Sequence, residues 1–189
     1  MNQNLEFLNS FINVNKEAFE KLQKISTLKT FEAKKPIAKS GDIASKAYLL
    51  TEGLMRAYLS SEDGKEFNKN FFVPFSFVAS FTSLISNKPS KLTYETLTEC
   101  QLYEIDFSEF VNLCEHDLVI SNFYNKIMEQ VFIAYEERQL ELISMNSKER
   151  YLKLRKRIPY IDELIPQYQI ASYLSITPVQ LSRIRKCLK

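Results

Sequence analysis

The stretch Ile165-Pro166-Gln167-Tyr168-Gln169-Ile170-Ala171-Ser172-Tyr173-Leu174-Ser175-Ile176-Thr177-Pro178-Val179-Gln180-Leu181-Ser182-Arg183-Ile184-Arg185-Lys186, near the end of a 189-residue chain, decides how the whole sequence is read. Ile170, Ala171 and Leu174 fall on one face of a first helix and Leu181 and Ile184 on one face of a second, with Ile176 plugging the turn between them. Ala171 is small where the two helices must cross closely. Thr177 stands as an N-cap, and Pro178 takes the first helical position, where a missing N–H costs nothing. Gln180 completes a Thr-x-x-Gln capping box. The pattern predicts a helix-turn-helix whose second helix has a fixed start.

With Leu181 and Ile184 turned inward, Val179, Gln180, Ser182, Arg183 and Lys186 face outward. Arg pairs bidentately with guanine and Gln with adenine, Ser and Lys bond phosphate, and Val meets a thymine methyl, so this set suits a groove of double-stranded DNA. Helix-turn-helix geometry puts Val179, Gln180 and Arg183 at base edges and turns Gln167, Tyr168 and Thr177 toward the phosphate backbone. The alternative is a helical hairpin that merely packs in a core. An outward face without an apolar stripe, between basic flanks, argues against it.

Charge agrees with this. From Ser147 to Lys189 there are ten Lys and Arg against three acids, a net +7, and the chain total of +2 leaves −5 for residues 1 to 146. A basic tail on an acidic body points to a polyanionic partner for the tail alone. Lys153, Arg155, Lys156 and Arg157 are equally well read as an ordinary solvated face.

Upstream, Leu5 to Leu28 has helical spacing, with Asn15 as N-cap of its second piece. Between Thr30 and Ile105 short runs of Phe, Tyr, Thr, Val and Leu alternate with turn residues, which predicts an all-β unit. Ser40-Gly41-Asp42, Glu52-Gly53 and Asp63-Gly64 mark turns, the last a hairpin. Met55, Ala57 and Leu59 alternate with Arg56, Tyr58 and Ser60, which predicts a half-buried strand. After Asp106 a helical period runs for some 30 residues through Ile120, Tyr124, Ile127, Val131, Ala134 or Tyr135, Arg138 and Leu142. A seam that long outruns a small β-unit, so it predicts a parallel homodimer, with a single long core helix as the alternative. Pro159, Pro166 and Pro178 then divide three short helices, Ser147 to Arg157, Gln167 to Leu174 and Pro178 to Leu188.

Other classes are disfavoured. No stretch approaches the roughly 18 apolar residues of a spanning helix, and the first residues lack the basic start and apolar run of a secretory signal, so the expected location is the cytoplasm, with no membrane partner. Cys100, Cys114 and Cys187 are odd in number and widely spaced, which predicts reduced thiols rather than a disulfide framework or a metal site. A redox role for Cys187 remains an alternative. A single histidine, His116, argues against a metal-dependent enzyme, and no nucleophile-base arrangement suggests another. No catalytic or metal-binding residue is expected.

The order of parts resembles the cyclic-AMP receptor and fumarate-nitrate regulator superfamily (Crp/Fnr) across almost the whole chain. Ser147-Lys148-Glu149-Arg150-Tyr151 and Ile165 through Lys186 look like the compact regulators of this family in Bacteroidetes. Gly41 through Gly64 and Thr98 through Ile105 match its β-roll. The resemblance implies an α+β fold in three parts: a cyclic-nucleotide-binding-like β-roll with N-terminal helices (1–114), a long dimerisation helix (115–146) and a helix-turn-helix (147–189). It also implies a homodimeric transcription regulator that works with RNA polymerase, and whose helix-turn-helix pair is reoriented by an effector in the β-roll. The β-hairpin wing found in many relatives is not expected after Lys189.

The departures are specific. Where the family's cyclic-nucleotide binders carry a Gly-Glu pair and an Arg-Ser pair, this chain has Ala79-Ser80 and Ser90-Lys91. Without the Arg the charge-assisted fork onto the phosphate is gone, and without the carboxylate so is the ribose contact, so tight cyclic AMP binding is not expected. Ala79, Ser80, Ser90 and Lys91 remain the candidate pocket for an unidentified effector. Lys88 and the aromatics Phe71, Phe72, Phe75, Phe77 and Tyr94 are further candidates to line it, although strand aromatics are more often core. No cofactor is expected: residues 1 to 30 contain no cysteine for an iron-sulfur cluster, and one histidine is poor support for haem. The rival functional reading is a ligand-binding or protein-interaction module with no direct contact to DNA.

Overall fold

The computed structural model describes residues 14–188. The apolar positions expected in a first helix, Leu5 to Ile12, lie outside the described residues. Asn15 caps helix α1 (Lys16–Lys24), its side chain accepting from the Ala18 N–H at 2.8 Å. The helix ends sooner than its spacing suggested. Leu28 belongs to β1 (Ser26–Phe31), where it pairs with Tyr103. Pairing with a neighbouring strand outweighs a local period that would equally serve a helix.

Among the described residues the β-unit has eight strands: β1, β2 (Pro36–Ala38), β3 (Lys46–Glu52), β4 (Met55–Ser60), β5 (Glu66–Phe72), β6 (Ser76–Val78), β7 (Thr93–Thr96) and β8 (Cys100–Asp106). They form two antiparallel sheets, ordered β1-β8-β3-β6 and β2-β7-β4-β5. Leu50, Met55, Val78, Tyr94, Cys100 and Leu102 form the core of this roll. Gly53 is required between β3 and β4. Its φ is +95°, and a Cβ there would collide with the Glu99 carbonyl and the Cys100 sulfur. Gly64, at φ +78°, closes the β4–β5 hairpin by donating to the Ser61 carbonyl at 3.0 Å.

Strand β4 is not the half-buried strand its alternation suggested. Arg56 is 4% exposed and Leu59 is 44% exposed. The register shifts between Ala57 and Tyr58, and the Arg56 guanidinium is held between Glu66 (2.6 Å) and Glu95 (2.7 Å). A charge this buried persists because both carboxylates and Asn68 satisfy it.

Helix α2 (Phe81–Ser86) lies between β6 and β7. After β8 the expected single helical run is two helices, α3 (Phe107–His116) and α4 (Leu118–Ser144). Asp117 divides them: its backbone is extended, and its carboxylate accepts from the Val119 and Ile120 N–H groups while pairing with Lys21 at 2.8 Å. Ile120, Phe123 and Ile127 pack on Ala18, Leu22 and Phe110. The first half of the expected dimer seam therefore faces the chain's own fold. On the other side of α4, Phe132, Ile133, Leu140 and Ile143 are exposed at 69%, 44%, 56% and 81%.

The chain then enters α5 (Ser147–Arg157), started by an Asn146–Glu149 capping box, and the short turn α6 (Ile161–Leu164), which the sequence did not reveal. Helices α7 (Gln167–Tyr173) and α8 (Pro178–Lys186) complete the fold. Their core of Tyr151, Leu154, Ile161, Ile170, Leu174 and Leu181 is continuous with Leu54 and Phe71 of the roll. The architecture is α+β, and no helix among the described residues is long and apolar enough to cross a membrane.

Candidate nucleic-acid interface

The turn between α7 and α8 is built from backbone hydrogen bonds. Ser175 has φ +57°, its N–H donates to the Ser172 carbonyl at 3.1 Å, and the Ile176 N–H donates to the Ala171 carbonyl at 3.0 Å. This is a Schellman closure with a serine where glycine is the usual residue. Ile176 then packs against the helix pair. Ala171, fully buried, stands among the core residues of the crossing, and Leu181 is fully buried.

The start of α8 follows the predicted cap. Thr177 Oγ1 accepts from the Gln180 N–H at 3.2 Å, and Gln180 Oε1 accepts from the Thr177 N–H at 2.9 Å. Gln180 Oε1 is thus committed to the cap. Only its Nε2 is left to meet a base acceptor, so a bidentate contact with adenine requires the cap to open.

The remaining candidates lie on the outside of this unit. Thr177, Val179, Gln180, Arg183 and Lys186 are exposed, and Ser182 is half-buried. Gln167 and Tyr168 are exposed at the start of α7. Val179, Arg183 and Lys186, spaced by four and three, share a face of α8. Neither Arg183 nor Lys186 forms an ion pair among the described residues. Several neighbouring cations are already engaged: Lys153 pairs with Glu141 at 2.7 Å, and Arg155 and Arg185 both lie 3.6 Å from Asp162. This leaves α8 as a helix with a fixed start, an apolar inner side and two uncommitted cations on its outer side.

Sequence reasoning missed how the unit is mounted. Helix α7 lies against the edge strand β5: the Asn68 N–H donates to Ser172 Oγ at 2.8 Å, Ser172 Oγ donates to the Glu66 carbonyl at 3.1 Å, and Asn68 Nδ2 donates to the Gln169 carbonyl at 2.9 Å. The Phe71 and Tyr173 rings meet at 5.0 Å. Arg138 of α4 lies over the Tyr173 ring and donates to the Tyr173 carbonyl, and Arg150 donates to the Leu174 carbonyl at 3.0 Å. Arg138, expected in a dimer seam, is a clamp on α7. Nothing in a helical period marks Ser172 or Gln169 for contact with a strand about a hundred residues earlier.

The candidate effector residues have a different setting. Ala79, Ser80 and Ser90 are buried, Lys91 is exposed, and Ser80 Oγ donates to Ser90 Oγ at 2.9 Å. Ser90 Oγ in turn donates to the Leu92 carbonyl at 2.8 Å. The two hydroxyls, at the positions where the resemblance leads one to expect Glu and Arg, therefore bond to each other. The aromatics expected around one pocket are dispersed. Phe71 contacts α7, Phe72 packs with Tyr94 inside the roll, and Phe75 is partly exposed. Phe77 lines an apolar cavity of about 100 Å³, open to solvent, on the outer face of the first sheet together with Phe19, Leu49, Phe110 and Phe123. A strand's two faces separate alternate residues, which a linear reading cannot sort without the register.

No group of three or more His, Cys, Asp or Glu is placed to hold a metal among the described residues. His116 is the exposed last residue of α3, with Nδ1 2.8 Å from the Asn112 carbonyl. Burial, helped by the nearby Asp117 carboxylate, pushes the Cys114 thiol up to about 11. Burial also raises Cys100.

Residues 28–117 match the model of the cyclic nucleotide-binding domain. Among solved structures, FixK2 from Bradyrhizobium japonicum is 19% identical at a TM-score of 0.71, with 87% of this chain and 84% of that one covered. The c-di-GMP responsive global regulator CLP of Xanthomonas campestris is 16% identical at a TM-score of 0.70, covering 92% and 91%. A putative transcriptional regulator of the Crp/Fnr family from Eubacterium rectale is 14% identical at 0.72, covering 95% and 85%. No curated protein matches the chain. At these identities the likeness defines the fold: a cyclic-nucleotide-binding-like roll followed by a long helix and C-terminal helices, as in Crp/Fnr-type regulators.

Proposed function

We propose that this chain is a cytoplasmic transcription regulator of the Crp/Fnr type, a compact member like those of Bacteroidetes. It acts as a homodimer and reads a partly palindromic DNA site with half-sites about one helical turn apart. Residues 1–114 serve as sensor, 115–146 as dimerisation helix and 147–189 as DNA-binding unit, and the regulator works with RNA polymerase. Val179, Gln180 and Arg183 meet base edges, while Gln167, Tyr168, Thr177, Ser182 and Lys186 meet the phosphate backbone. Any effector is sensed in the roll, where the Ala79, Ser80, Ser90 and Lys91 region stands in for the nucleotide site, and tight binding of cyclic AMP is not expected.

One observation carries this reading: the outer face of α8 is exposed, polar and basic, on a helix whose start and inner side are fully committed to the fold. A helix of this kind presents a preorganised set of donors to the major groove. The test is binding of Arg183→Ala to a selected operator and to its single-base variants. The expected loss is about 1 to 3 kcal/mol, with discrimination relaxed at one base pair. An equal loss on every sequence would assign Arg183 to phosphate, and unchanged affinity would remove α8 from the interface.

A further inference from the structure

The contact between α7 and β5 is held by side-chain hydrogen bonds, and the role argued for it rests on the DNA-binding reading. Ser172 completes the edge strand as a neighbouring strand would, accepting from the Asn68 N–H and donating to the Glu66 carbonyl through one hydroxyl. Asn68 is also the last link of a polar chain through the roll. Glu95 on β7 holds Arg56 on β4, Arg56 Nη1 donates to Asn68 Oδ1 at 3.2 Å, and Asn68 Nδ2 donates to the α7 backbone at Gln169. Three strands and the helix-turn-helix are thereby connected by side chains whose geometry is mutually fixed.

The covalent connection between α4 and the helix-turn-helix is short. At Met145 and Asn146 the backbone turns extended, with ψ of 140° and 168°, so helical hydrogen bonding is interrupted there. Rotation at such a joint swings α8 relative to α4 unless something else holds it. The contact also has a built-in weakness. Gln169 is 6% exposed, and its Oε1 has no hydrogen-bond partner among the described residues. A buried acceptor left unpaired costs free energy that is recovered when the surface opens to water.

We propose that Asn68 and Ser172 are positioning residues: a breakable latch between the edge of the β-roll and α7 that fixes the direction of α8 and so sets the half-site spacing a dimer accepts. Movement of β4 or β5 reaches the DNA-reading helix through Arg56 and Asn68. The latch touches no DNA, so its loss alters how two half-sites are combined and leaves the reading of each one intact.

The test compares the wild-type chain, Asn68→Ala, Ser172→Ala and Ser172→Thr on operators whose half-sites are moved one base pair closer or farther apart, and on an isolated half-site. The wild type is expected to prefer its own spacing by about tenfold, since one base pair rotates and shifts the second site. In Asn68→Ala and Ser172→Ala the preference should fall to about threefold or less, because units held only by the Arg138 and Phe71 contacts with Tyr173 tilt more freely and adapt to either spacer at an entropic cost common to all. Half-site affinity should be unchanged, and Ser172→Thr, which keeps the hydroxyl, should restore the preference. Wild-type spacing selectivity in both alanine variants would overturn the latch. Amide exchange reads the contact without DNA: the Asn68 amide should exchange faster in Ser172→Ala, and an unchanged rate would overturn the latch. Absence of DNA binding by the wild type would instead overturn the reading on which the inference rests, and would do so whatever the exchange result.

Discussion

On the proposed homodimer, replacing Leu140 and Ile143 by Glu should yield a monomer without unfolding the chain. The exposed side of α4 carries Phe132, Ile133, Leu140 and Ile143 at 44% to 81% exposure. Covering the exposed part of each side chain is worth about 1 to 2 kcal/mol, so the four residues of two protomers contribute roughly 8 to 16 kcal/mol before association costs. Those costs are about 4 to 15 kcal/mol, which leaves a dimer of moderate affinity. The double substitution removes four of the eight burials and adds carboxylates that must stay hydrated. A loss of about 4 to 6 kcal/mol raises the dimer Kd by roughly three to four orders of magnitude. Sedimentation velocity over a concentration series measures this directly. In the wild type the thermal midpoint should rise with protein concentration, and in the variant it should not. Wild-type protein that sediments as monomer at tens of micromolar, or a variant as dimeric as the wild type, would refute the reasoning.

Three further outcomes are expected. Ser175→Gly should stabilise the fold by up to about 1 kcal/mol in urea denaturation, because glycine adopts the left-handed conformation of the turn without steric penalty. Asp106, which caps α3, has its carboxyl held down at about 2 by the Ser108 hydroxyl first and by Lys46 second. A carboxyl depressed in the folded state stabilises the fold above its unfolded pKa of about 4, and that contribution is lost as pH falls from about 4 toward 2. Asp106→Asn should therefore flatten the acid limb of stability over that window in a pH series of denaturation curves. Isothermal titration with cyclic AMP should show no saturable binding at micromolar ligand, since Ser80 and Ser90, which the resemblance sets at the ribose and phosphate partners' positions, bond to each other.

Much of this was legible in the sequence, and the parts that were share a cause. Asn15, Thr177, Pro178 and Gln180 act within one turn of the chain, so their spacing alone fixed the cap geometry later seen. Ala171 and Leu181 were legible because a buried helix face repeats on a local period. What the sequence could not reveal depends on register and on distant partners. Leu28 reads as helical until β8 claims it, and Arg56 reads as solvent-facing until Glu66, Glu95 and Asn68 surround it. The first half of the expected α4 seam packs inside the chain, because the helix carries apolar residues on two sides and only the fold decides that Ile120, Phe123 and Ile127 are the intramolecular set, whereas Tyr135 and Leu142 stay exposed. At the candidate interface the outer face of α8 was readable, but its mounting on β5 was not, because Ser172 and Asn68 are ordinary polar residues until they meet.

The most direct test of the central claim is selection of genomic fragments by the purified protein, followed by titration of the best fragment with salt. Two inverted half-sites about one helical turn apart are expected, with log affinity falling steeply and linearly as log salt rises. Recovery of no fragment above background at low salt, or binding indifferent to salt, would contradict the assignment of α8 as a reader of DNA.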